Sequence, residues 1–580
     1  MDVDVGQSLR SHDPSDRNVG TGVSPGSGTV PFALRVGITG HRHFPPERLD
    51  ALHNQIGIAL DRVRALFPPT PDTGVVLTAV SALAEGADRL VVDAVLATAG
   101  SRLEVVLPLR EQAYLADFET QSSKERFLEL CNKASLMVTA PEVRPEDEDD
   151  PEKRSRQYEW ASRYVVERCD VLLALWDGKG PRGTGGTAET LRYALEHRVP
   201  VLCIPTEGGE LLEDLGSGEI DPGFRRSGIG DRHRATAGDT TPIDQTRRSF
   251  SGLDSYNRVP HLIFTGNNNP LGPSRFEQEV AAETMYLPAD PPGIDLAELA
   301  DWVRPYYVWA DRRALMFERW YTIGIWVSFG AAALAVLAAA LGAIFEIKAF
   351  LGVELALLVC IGAVVVFGRR LHLHDQWINS RFLAERLRSA VFLNAAGLGD
   401  RRDSGLQGLG PQNEYADWLR RAYEFVWDSR PDSDSPRLAD LCDLLAEGWI
   451  QPQIDYHKRK SNTHESRESL LLKLSLALFA LTFVLAIIHI ISPTKSVSVL
   501  AISLPAFGSS IAGVSAHLQY HRHAVVYAGM ARHLEFVKQR IKNAYTPTTL
   551  RAAASDADLI MASEQRDWIG VMRFLDLEVG

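Results

Sequence analysis

The stretch CDVLLALWDGKGPRGTGGTAETLRYALEHRVPVLCI, residues 169–204, decides the fold of this chain. It begins with a short apolar strand, Val171 to Trp176, and continues into a loop rich in glycine and threonine. The run from Ala188 to Glu196 has helical spacing, and Val199 to Ile204 is a second apolar strand. Strand, glycine loop, helix and strand in this order predict a parallel α/β sheet.

The glycine loop predicts a site for an anionic group. Glycine allows the backbone to come close to a ligand, and the first turn of the following helix offers N–H groups and the positive end of its dipole. Ligands of parallel sheets gather at the carboxyl ends of the strands. A phosphate is the group that suits this loop best.

Apolar strands and helices alternate over the first half of the chain. About six strands are expected, so the predicted fold class is α/β, with a parallel, Rossmann-like sheet and helices on both faces. The residues from His261 to Phe264 are a candidate edge strand. The other predicted strands are Leu34–Ile38, Val75–Val80, Leu103–Leu107 and Ser135–Thr139.

Composition excludes one class of partner. The chain has 580 residues, a formal net charge of -13 and a pI near 5.7, whereas a protein that binds duplex nucleic acid needs a basic face. The five cysteines are scattered and include no CxxC pair, which indicates buried thiols in a reducing compartment. We therefore predict no duplex nucleic acid, no cofactor and no metal.

Apolar residues concentrate in two places that predict membrane hairpins. The run from Tyr321 to Phe345 has no charged residue, and Ala349 to Gly368 carries only Glu354. The second pair is Leu474 to Ser492 and Val497 to Leu518. Because a spanning helix needs about 20 apolar residues, the chain is predicted to have an α-helical membrane region of four transmembrane helices in two hairpins.

Positive charge predicts the orientation of these spans. Basic residues precede the first helix and follow the second helix of each hairpin, whereas the tight turns carry only Lys348 and Lys495. By the positive-inside rule, both termini and the α/β domain face the cytoplasm, and the protein is a multi-pass protein of the inner, cytoplasmic membrane. The flanking cations are Arg312, Arg313, Arg319, Arg369, Arg370, Lys458, Arg459, Lys460, Arg467 and Arg522.

The two hairpins are also candidates for a duplicated unit. Shifting the chain by 147 residues places His374 on His521 and Leu387 on Leu534, and it keeps the basic entry and the helical exit of each hairpin in place. Few identities support the alignment, so duplication is a hypothesis at this stage.

Three loops are expected to meet at one edge of the sheet, because they follow parallel strands. Glycine backbones, hydroxyl groups and the cations of His41 and Arg42 suit a phosphorylated or nucleotide-like ligand. Asp88 and Asp177 have two open interpretations, as ligand-binding carboxylates or as caps of a helix or loop. The predicted binding residues are Gly37, Thr39, Gly40, His41, Arg42, Ser81, Glu85, Gly86, Asp88, Asp177, Gly183, Thr184, Gly185, Gly186 and Thr187.

These loops resemble the SLOG superfamily of Rossmann-like domains. The resemblance rests on GITGHR at residues 37–42, LAEGADRL at 83–90, WDG at 176–178 and GTGGTAE at 183–189. The superfamily includes the LOG phosphoribohydrolases, which release a base from a nucleoside monophosphate, and domains that sense nucleotide messengers in bacterial conflict systems. The resemblance implies that Gly185, Gly186 and Thr187 hold phosphate.

The same resemblance makes Glu189 a candidate catalytic residue. LOG enzymes carry a glutamate two residues beyond the threonine of a PGGxGT loop, and Glu189 occupies that position. This chain reads GTGGT without the leading Pro-Gly-Gly. The alternative for Glu189 is a first-turn carboxylate stabilised by the helix dipole.

The membrane half resembles the SLATT type of effector, in which paired spans precede a cytoplasmic helix. The matching segments are Trp377 to Arg388 and His523 to Lys538. Such domains accompany nucleotide sensors and are thought to form membrane-damaging pores, so the resemblance implies a homo-oligomeric effector of a bacterial defence system.

The sequence thus predicts a membrane-anchored sensor-effector, whose partners are a nucleotide or nucleotide-derived messenger and the lipid bilayer. The alternative is a membrane-tethered LOG-like phosphoribohydrolase or N-glycosidase, and the question of turnover stays open. The predicted parts are a disordered leader (1–31), the SLOG-like domain (32–266, with 207–258 as a low-complexity insertion or linker), a juxtamembrane helix (296–320), the first hairpin (321–368), a cytoplasmic helical region (369–473), the second hairpin (474–518) and a C-terminal cytoplasmic helical region (519–580).

Overall fold

The computed structural model describes residues 28–141, 150–180, 186–215, 224, 241–259, 271–283, 285, 300–398, 417–431 and 437–572. The contacts divide the chain into two compact units. Unit 1 comprises Met1–Arg258 and Glu414–Ser429, and unit 2 comprises Val259–Asn413 and Arg430–Gly580. The chain therefore leaves unit 1, returns to it once, and leaves it again.

Unit 1 is built on a single sheet. Its strands are β1 (Phe32–Gly40), β2 (Val75–Ser81), β3 (Arg102–Leu107), β4 (Leu136–Thr139), β5 (Val171–Trp176), β6 (Val201–Pro205) and β7 (Leu212–Asp214). The order is β4-β3-β2-β1-β5-β6-β7, in which β1 to β6 are parallel and only β7 pairs antiparallel. The predicted α/β fold class is confirmed.

Helices cover the sheet because the parallel strands need crossover connections. The strand order reverses between β1 and β5, so right-handed crossovers place the helices on both faces. A buried apolar cluster, including Leu172, Leu191 and Val201, joins the sheet to the helices beside β5 and β6. The helices are α1 (Leu49–Leu66), α2 (Ala87–Leu96), α3 (Glu111–Leu115), α4 (Gln121–Asn132), α5 (Pro151–Arg168), α6 (Thr187–Glu196) and α7 (Pro242–Asn257).

The described part of unit 2 is helical, and four of its helices are long and apolar enough to cross a membrane. The helices of unit 2 are α8 (Pro273–Ala282), α9 (Arg304–Phe345), α10 (Ala349–Arg370), α11 (Leu373–Ala395), α13 (Leu438–Asp443), a π-helical turn (Leu444–Ile450), α14 (Gln451–Ile491), α15 (Lys495–His517), α16 (Tyr520–Lys542) and α17 (Pro547–Met572), while α12 (Asp417–Trp427) belongs to unit 1. The four apolar helices are α9, α10, α14 and α15.

Two of the helices that contain the apolar stretches begin well before those stretches. Helix α9 continues from Arg304 through the predicted juxtamembrane segment to Phe345, and α14 likewise continues to Ile491. No proline lies between Tyr306 and Phe345, so none interrupts the passage from polar to apolar residues around Arg319 and Tyr321. Each backbone N–H therefore keeps its carbonyl partner four residues earlier, whatever the polarity of the side chains.

The helices of unit 2 repeat with the predicted offset of 147 residues. The bounds of α9, α10 and α11 recur in α14, α15 and α16 to within one residue, and α11 and α16 correspond at both ends. The residue before each exit helix is left-handed, with φ 47° at His372 and φ 48° at Gln519. The duplication therefore holds at the level of the helices.

One ordered helix lies where the sequence indicated polar, irregular chain. Helix α7 lies in the stretch taken as a low-complexity insertion or linker, and the side chain of Thr241 caps it. Ile243, Leu253 and Tyr256 are buried, although they are too few to change the local composition. Helix α12 lies inside the predicted cytoplasmic helical region. The candidate strand at 261–264 and residues 1–27 of the predicted leader lie outside the described residues.

Candidate functional site

A pocket of about 600 Å³ opens at the carboxyl ends of β1 and β5. The strand order reverses between these two strands, and such a switch point is where parallel sheets bind ligands. The volume lies within the range of small-molecule sites. Eight predicted residues line it: Thr39, Gly40, His41, Arg42, Asp88, Asp177, Gly186 and Thr187.

The end of β1 is held close to the start of α2. A Cβ atom on Gly40 would lie 2.3 Å from the Cβ of Ala87 and 2.9 Å from the carbonyl oxygen of Leu175. The backbone N–H of Ala87 donates to the carbonyl of His41 (3.0 Å). Glycine at position 40 therefore allows the β1 loop to pass between α2 and β5 and to present His41 and Arg42 at the pocket.

Gly86 supports this loop from behind and does not line the pocket. Its φ is 78°, and an added Cβ would lie 2.3 Å from the carbonyl oxygen of Arg42 and 2.4 Å from that of His41. Both contacts are with backbone atoms, which cannot rotate away as a flexible side chain can. Gly86 is therefore required for the position of the His41–Arg42 backbone.

Replacement of Gly86 by alanine is expected to lower the free energy of unfolding of unit 1 by about 1–3 kcal/mol, because it combines a left-handed backbone with a backbone clash. Hydrogen exchange of the peptides covering β1 and α2, measured in the full-length protein, checks this. The matched control is Gly57→Ala in α1, where an added Cβ meets no atom within 4 Å. The control is expected to be stabilising by about 0.5–1 kcal/mol, and equal destabilisation by both variants would contradict the assignment.

The N-terminus of α6 forms the second wall of the pocket. Gly186 is the N-cap residue, and its carbonyl accepts hydrogen bonds from the N–H groups of Glu189 and Thr190 (both 3.0 Å). The N–H groups of Thr187 and Ala188 precede these first intrahelical bonds, and both residues line the pocket. A helix start of this kind favours an anion.

Asp177 caps a loop and also lines the pocket. Its Oδ1 accepts a hydrogen bond from the N–H of Lys179 (3.1 Å), which caps the loop after β5. The Nε2 atom of His41 lies 3.1 Å from the same Oδ1 and 3.1 Å from the backbone nitrogen of Asp177. The β1 and β5 loops are thereby joined at the mouth of the pocket, where Asp177 also contributes to the lining.

Asp88 is a buried carboxyl group at the pocket wall, with a relative exposure of 5%. The hydroxyl of Ser81 donates to its Oδ2 (2.7 Å). Burial raises the pKa of Asp88 to about 6, although the hydrogen bond from Ser81 acts in the opposite direction. Its protonation therefore changes between mildly acidic and neutral pH, a property of many acid–base residues.

Arg42 supplies fixed positive charge. Burial lowers the pKa of Arg42, but the neighbouring Tyr114, Tyr158 and Asp117 raise it by more, so the net shift is upward. The guanidinium group is therefore cationic at physiological pH. A cation beside a helix N-terminus suits a phosphate or another compact anion.

Several predicted residues lie elsewhere. Ser81 is buried and bonds Asp88 and the N–H of Leu83 (2.9 Å); Glu85 accepts a hydrogen bond from Ser123; Gly37 packs against Cys169. Glu189 is partly buried in the first turn of α6 and is absent from the pocket lining. Gly183, Thr184 and Gly185 lie outside the described residues.

Two tyrosines complete the pocket and were not predicted. Tyr114 from α3 and Tyr158 from α5 line it, with ring centroids 6.1 Å apart. Tyr158 donates a hydrogen bond to Asp117, which Arg154 also contacts. The charged residues at 152–156 belong to α5, which brings Tyr158 to the pocket. An aromatic wall beside an anion site can hold a base or another planar group.

A second polar centre lies toward the amino ends of the strands. Glu424 of α12 accepts hydrogen bonds from Arg35 of β1 and Arg168 of α5 (both 2.9 Å). The same two arginines contact Glu104 of β3, at 3.1 and 2.9 Å. This cluster of two arginines and two glutamates fixes α12 to the sheet.

Further contacts of α12 strengthen its attachment to the sheet. Arg421 forms a bidentate pair with Asp170, at 2.6 and 3.0 Å, directly before β5. The Arg102 guanidinium lies 3.5 Å above the ring of Phe425. Since α12 is part of the chain between the two hairpins, unit 1 holds the connection between them.

A cavity of about 580 Å³ lies within unit 2. Residues from both repeats line it. They include Tyr321 of α9, Arg459, Lys460 and His464 of α14, and His523 of α16. Burial lowers the pKa of His464 and His523 to about 4, so both are neutral at physiological pH. Among the described residues, no group of three histidine, cysteine, aspartate or glutamate side chains is arranged to hold a metal ion.

The comparison with known families gives a match for the second hairpin and the helices that follow it. Residues 446–568 match the family of SMODS and SLOG-associating 2TM effector domain 1. This SLATT match covers α14, α15, α16 and most of α17, including the predicted segment His523–Lys538. The predicted SLATT resemblance is confirmed for this part. Together with the four apolar helices, the SLATT match identifies a membrane protein with an effector domain.

No curated protein and no solved structure matches the chain.

Proposed function

We propose that this protein is a membrane-embedded sensor-effector. A nucleotide or nucleotide-derived messenger binds the pocket of unit 1 and controls the four membrane helices of unit 2, which act as a pore in a bacterial defence system. The single observation that carries the proposal is the combination, in one chain, of a switch-point pocket walled by Arg42 and the α6 N-terminus with a SLATT effector domain.

The lining of the pocket supports an anionic ligand with a planar group. Arg42 and the first-turn N–H groups of Thr187 and Ala188 suit phosphate, while Tyr114 and Tyr158 suit a base or sugar ring. A nucleotide carries both parts. The proposed ligand therefore satisfies both walls of the pocket, which inorganic phosphate alone would not.

The attachment of α12 supports communication with the membrane helices. Arg35 and Arg168 hold Glu424 of this helix on the sheet. The chain enters α12 after the first hairpin and leaves it toward the second. A ligand can shift this connection only by as much as it prefers one conformation of unit 1 over another.

The proposed orientation places both termini and unit 1 in the cytoplasm, with the protein in the inner membrane. The basic residues that precede and follow each hairpin support this assignment. A cytoplasmic pocket is also the one that a nucleotide messenger can reach.

Asp88 favours a second candidate function, hydrolysis of the bound nucleotide by a LOG-like phosphoribohydrolase. A carboxyl group with a pKa of about 6 at the pocket wall can serve as a general acid or base. Asp88 has better access to a ligand than Glu189, which the resemblance would assign to this role, because Asp88 lines the pocket. Release of a free base that disappears in Asp88→Asn would establish the enzyme.

The test uses full-length protein in lipid nanodiscs and a panel of nucleoside monophosphates, cyclic dinucleotides and ADP-ribose. Binding of at least one compound is expected, and Gly186→Asp is expected to abolish it by placing a carboxylate at the start of α6. The matched control is Gly57→Asp on the exposed side of α1, where an added Cβ has open space.

Ligand-dependent leakage from liposomes completes the test. Leakage that requires the bound compound, disappears in Gly186→Asp and persists in Glu189→Gln supports the sensor-effector. No binding of any compound by the wild type, or equal binding by Gly186→Asp, would refute the assignment of the pocket.

A further inference from the structure

In the described part of the chain, helix α9 of the first hairpin packs against helix α15 of the second. Tyr321, Ile325 and Val514 are buried there, with relative exposures of 2%, 0% and 1%. Gly513 allows close approach of Phe329, whose Cε1 atom would lie 2.4 Å from a Cβ at position 513. The Tyr321 hydroxyl lies 3.2 Å from Nε2 of His517. This contact joins the first helix of one repeat to the second helix of the other.

The repeat assigns an equivalent residue to each side of this contact. On α14, the counterparts of Tyr321, Ile325 and Phe329 are Glu468, Leu472 and Leu476. On α10, the counterparts of Gly513, Val514 and His517 are Val366, Phe367 and Arg370.

These equivalent faces are open in the described part of the chain. Leu472 and Leu476 are 57% and 59% exposed, and Val366 and Phe367 are 52% and 39% exposed. In the most apolar stretches, 28% of α9 and 22% of α15 are buried, against 6% of α10 and 6% of the α14 helix. The faces that pair inside the molecule thus recur uncovered on α10 and α14.

We propose that α10 of one copy of this protein docks on α14 of a second copy, repeating between chains the contact that α9 and α15 make within one. Exposed apolar residues alone would not require this, because lipid covers them equally well. The occupant is a second copy of this chain because each open face is the counterpart of a face already paired with its complement.

Two features of the side chains fit this interface. Within one chain, the large side chain of Phe329 lies against Gly513, which has no side chain. The corresponding pair between two copies is Leu476 with Val366, two side chains of intermediate size. The pair of Tyr321 with His517 becomes Glu468 with Arg370, which have opposite charges. Glu468 also lies 3.1 Å from Nδ1 of His521 in its own chain, and Arg370 is exposed.

A contact between different faces of identical chains propagates in one direction. Such a heterologous contact closes into a ring when the rotation per copy allows it. Both hairpins enter from the same side in the proposed topology, so the ring axis would be normal to the membrane, as a pore requires. The inference deepens the proposed effector function and does not depend on ligand binding.

The test is cross-linking between two differently tagged full-length chains, co-expressed in a bacterial membrane with Cys360→Ser in both. One chain carries Val366→Cys and the other Leu476→Cys. An oxidative cross-link that yields a product with both tags is expected. The matched control replaces Leu476→Cys by Phe483→Cys, on the same face but about 10 Å further along the helix, and it is expected to cross-link poorly.

Charge reversal in the two chains provides the second measurement. Arg370→Glu in the first chain, or Glu468→Arg in the second, is expected to lower the cross-linked fraction about fivefold or more, since an ion pair becomes a like-charge contact. Combining the two reversals is expected to restore it, which a folding defect would not. Absence of the doubly tagged product, equal cross-linking at Phe483, or lack of rescue would overturn the interface, while nucleotide binding by unit 1 would be unaffected.

Discussion

Replacement of Glu424 by alanine is expected to detach α12 from the sheet of unit 1. Glu424 has 7% relative exposure, and the side chains of its arginine partners, Arg35 and Arg168, are only 4% and 12% exposed. Removing one member of a buried ionic cluster leaves uncompensated charge, at a cost of about 3–5 kcal/mol. Hydrogen exchange of the α12 and β1 peptides in the full-length protein is expected to accelerate about a hundredfold or more.

The matched control is Glu213→Ala, which removes the exposed Arg62–Glu213 pair of the same unit. Its side chains are 46% and 30% exposed, so the loss is expected to be at most about 1 kcal/mol. Similar exchange rates in Glu424→Ala and Glu213→Ala would contradict a structural role for the cluster.

The effect of Glu424 is expected to depend on pH. Burial alone would raise the pKa of Glu424, but the charges of Arg168 and Arg35 outweigh it and lower the pKa from 4.5 to about 2. A carboxylate with a depressed pKa contributes stability above its unfolded pKa and loses it as pH falls toward its folded pKa. The difference between wild type and Glu424→Ala is therefore expected to be constant above about pH 5 and to shrink between about pH 4.5 and pH 2.

Replacement of Arg386 by methionine is expected to destabilise unit 2 by about 3–5 kcal/mol. Arg386 of α11 and Asp558 of α17 form a bidentate pair at 2.6 and 2.9 Å. Their side chains are only 2% and 0% exposed, so the change leaves the Asp558 carboxylate buried without its main counter-charge. Thermal unfolding of the full-length protein in detergent is expected to shift to lower temperature.

The double variant Arg386→Met, Asp558→Leu distinguishes lost charge compensation from lost packing. It is expected to recover most of the stability, because a buried ion pair replaced by apolar residues of similar size is often neutral. The control is Asp556→Leu in the exposed Arg540–Asp556 pair, whose side chains are 43% and 41% exposed. A double variant as unstable as Arg386→Met would show that the pair itself is needed.

These two clusters have a shared consequence for the proposed function. Glu424 holds the chain between the hairpins on unit 1, and Arg386 holds the exit helix of the first hairpin on α17. These contacts keep two helices in defined positions, α12 on the sheet of unit 1 and α11 on α17. A signal that passes from unit 1 to the membrane helices requires such rigid connections.

Much of unit 1 was predictable because its signals are local. Apolar runs of four to eight residues, such as Val171 to Trp176 with Gly178 after it, predict buried parallel strands. The β1 loop and the α6 start were predicted as neighbours for the same reason, since parallel strands bring their carboxyl ends to one edge. Tyr114 and Tyr158 were not predictable, because they reach the pocket from connecting helices whose packing angle no local pattern encodes.

The four apolar helices, the α/β sheet and the 147-residue repeat follow from the sequence by itself, because apolar length, glycine after strands and helix periodicity act within short segments. Only the tertiary structure decided that α12 returns to unit 1 and that Glu424 pairs with Arg35, which lies 389 residues away. The same holds for the pairing of α9 with α15 and for the open faces of α10 and α14. Such contacts depend on which buried charges and apolar faces find complements across the whole fold, a choice that no local window of sequence contains.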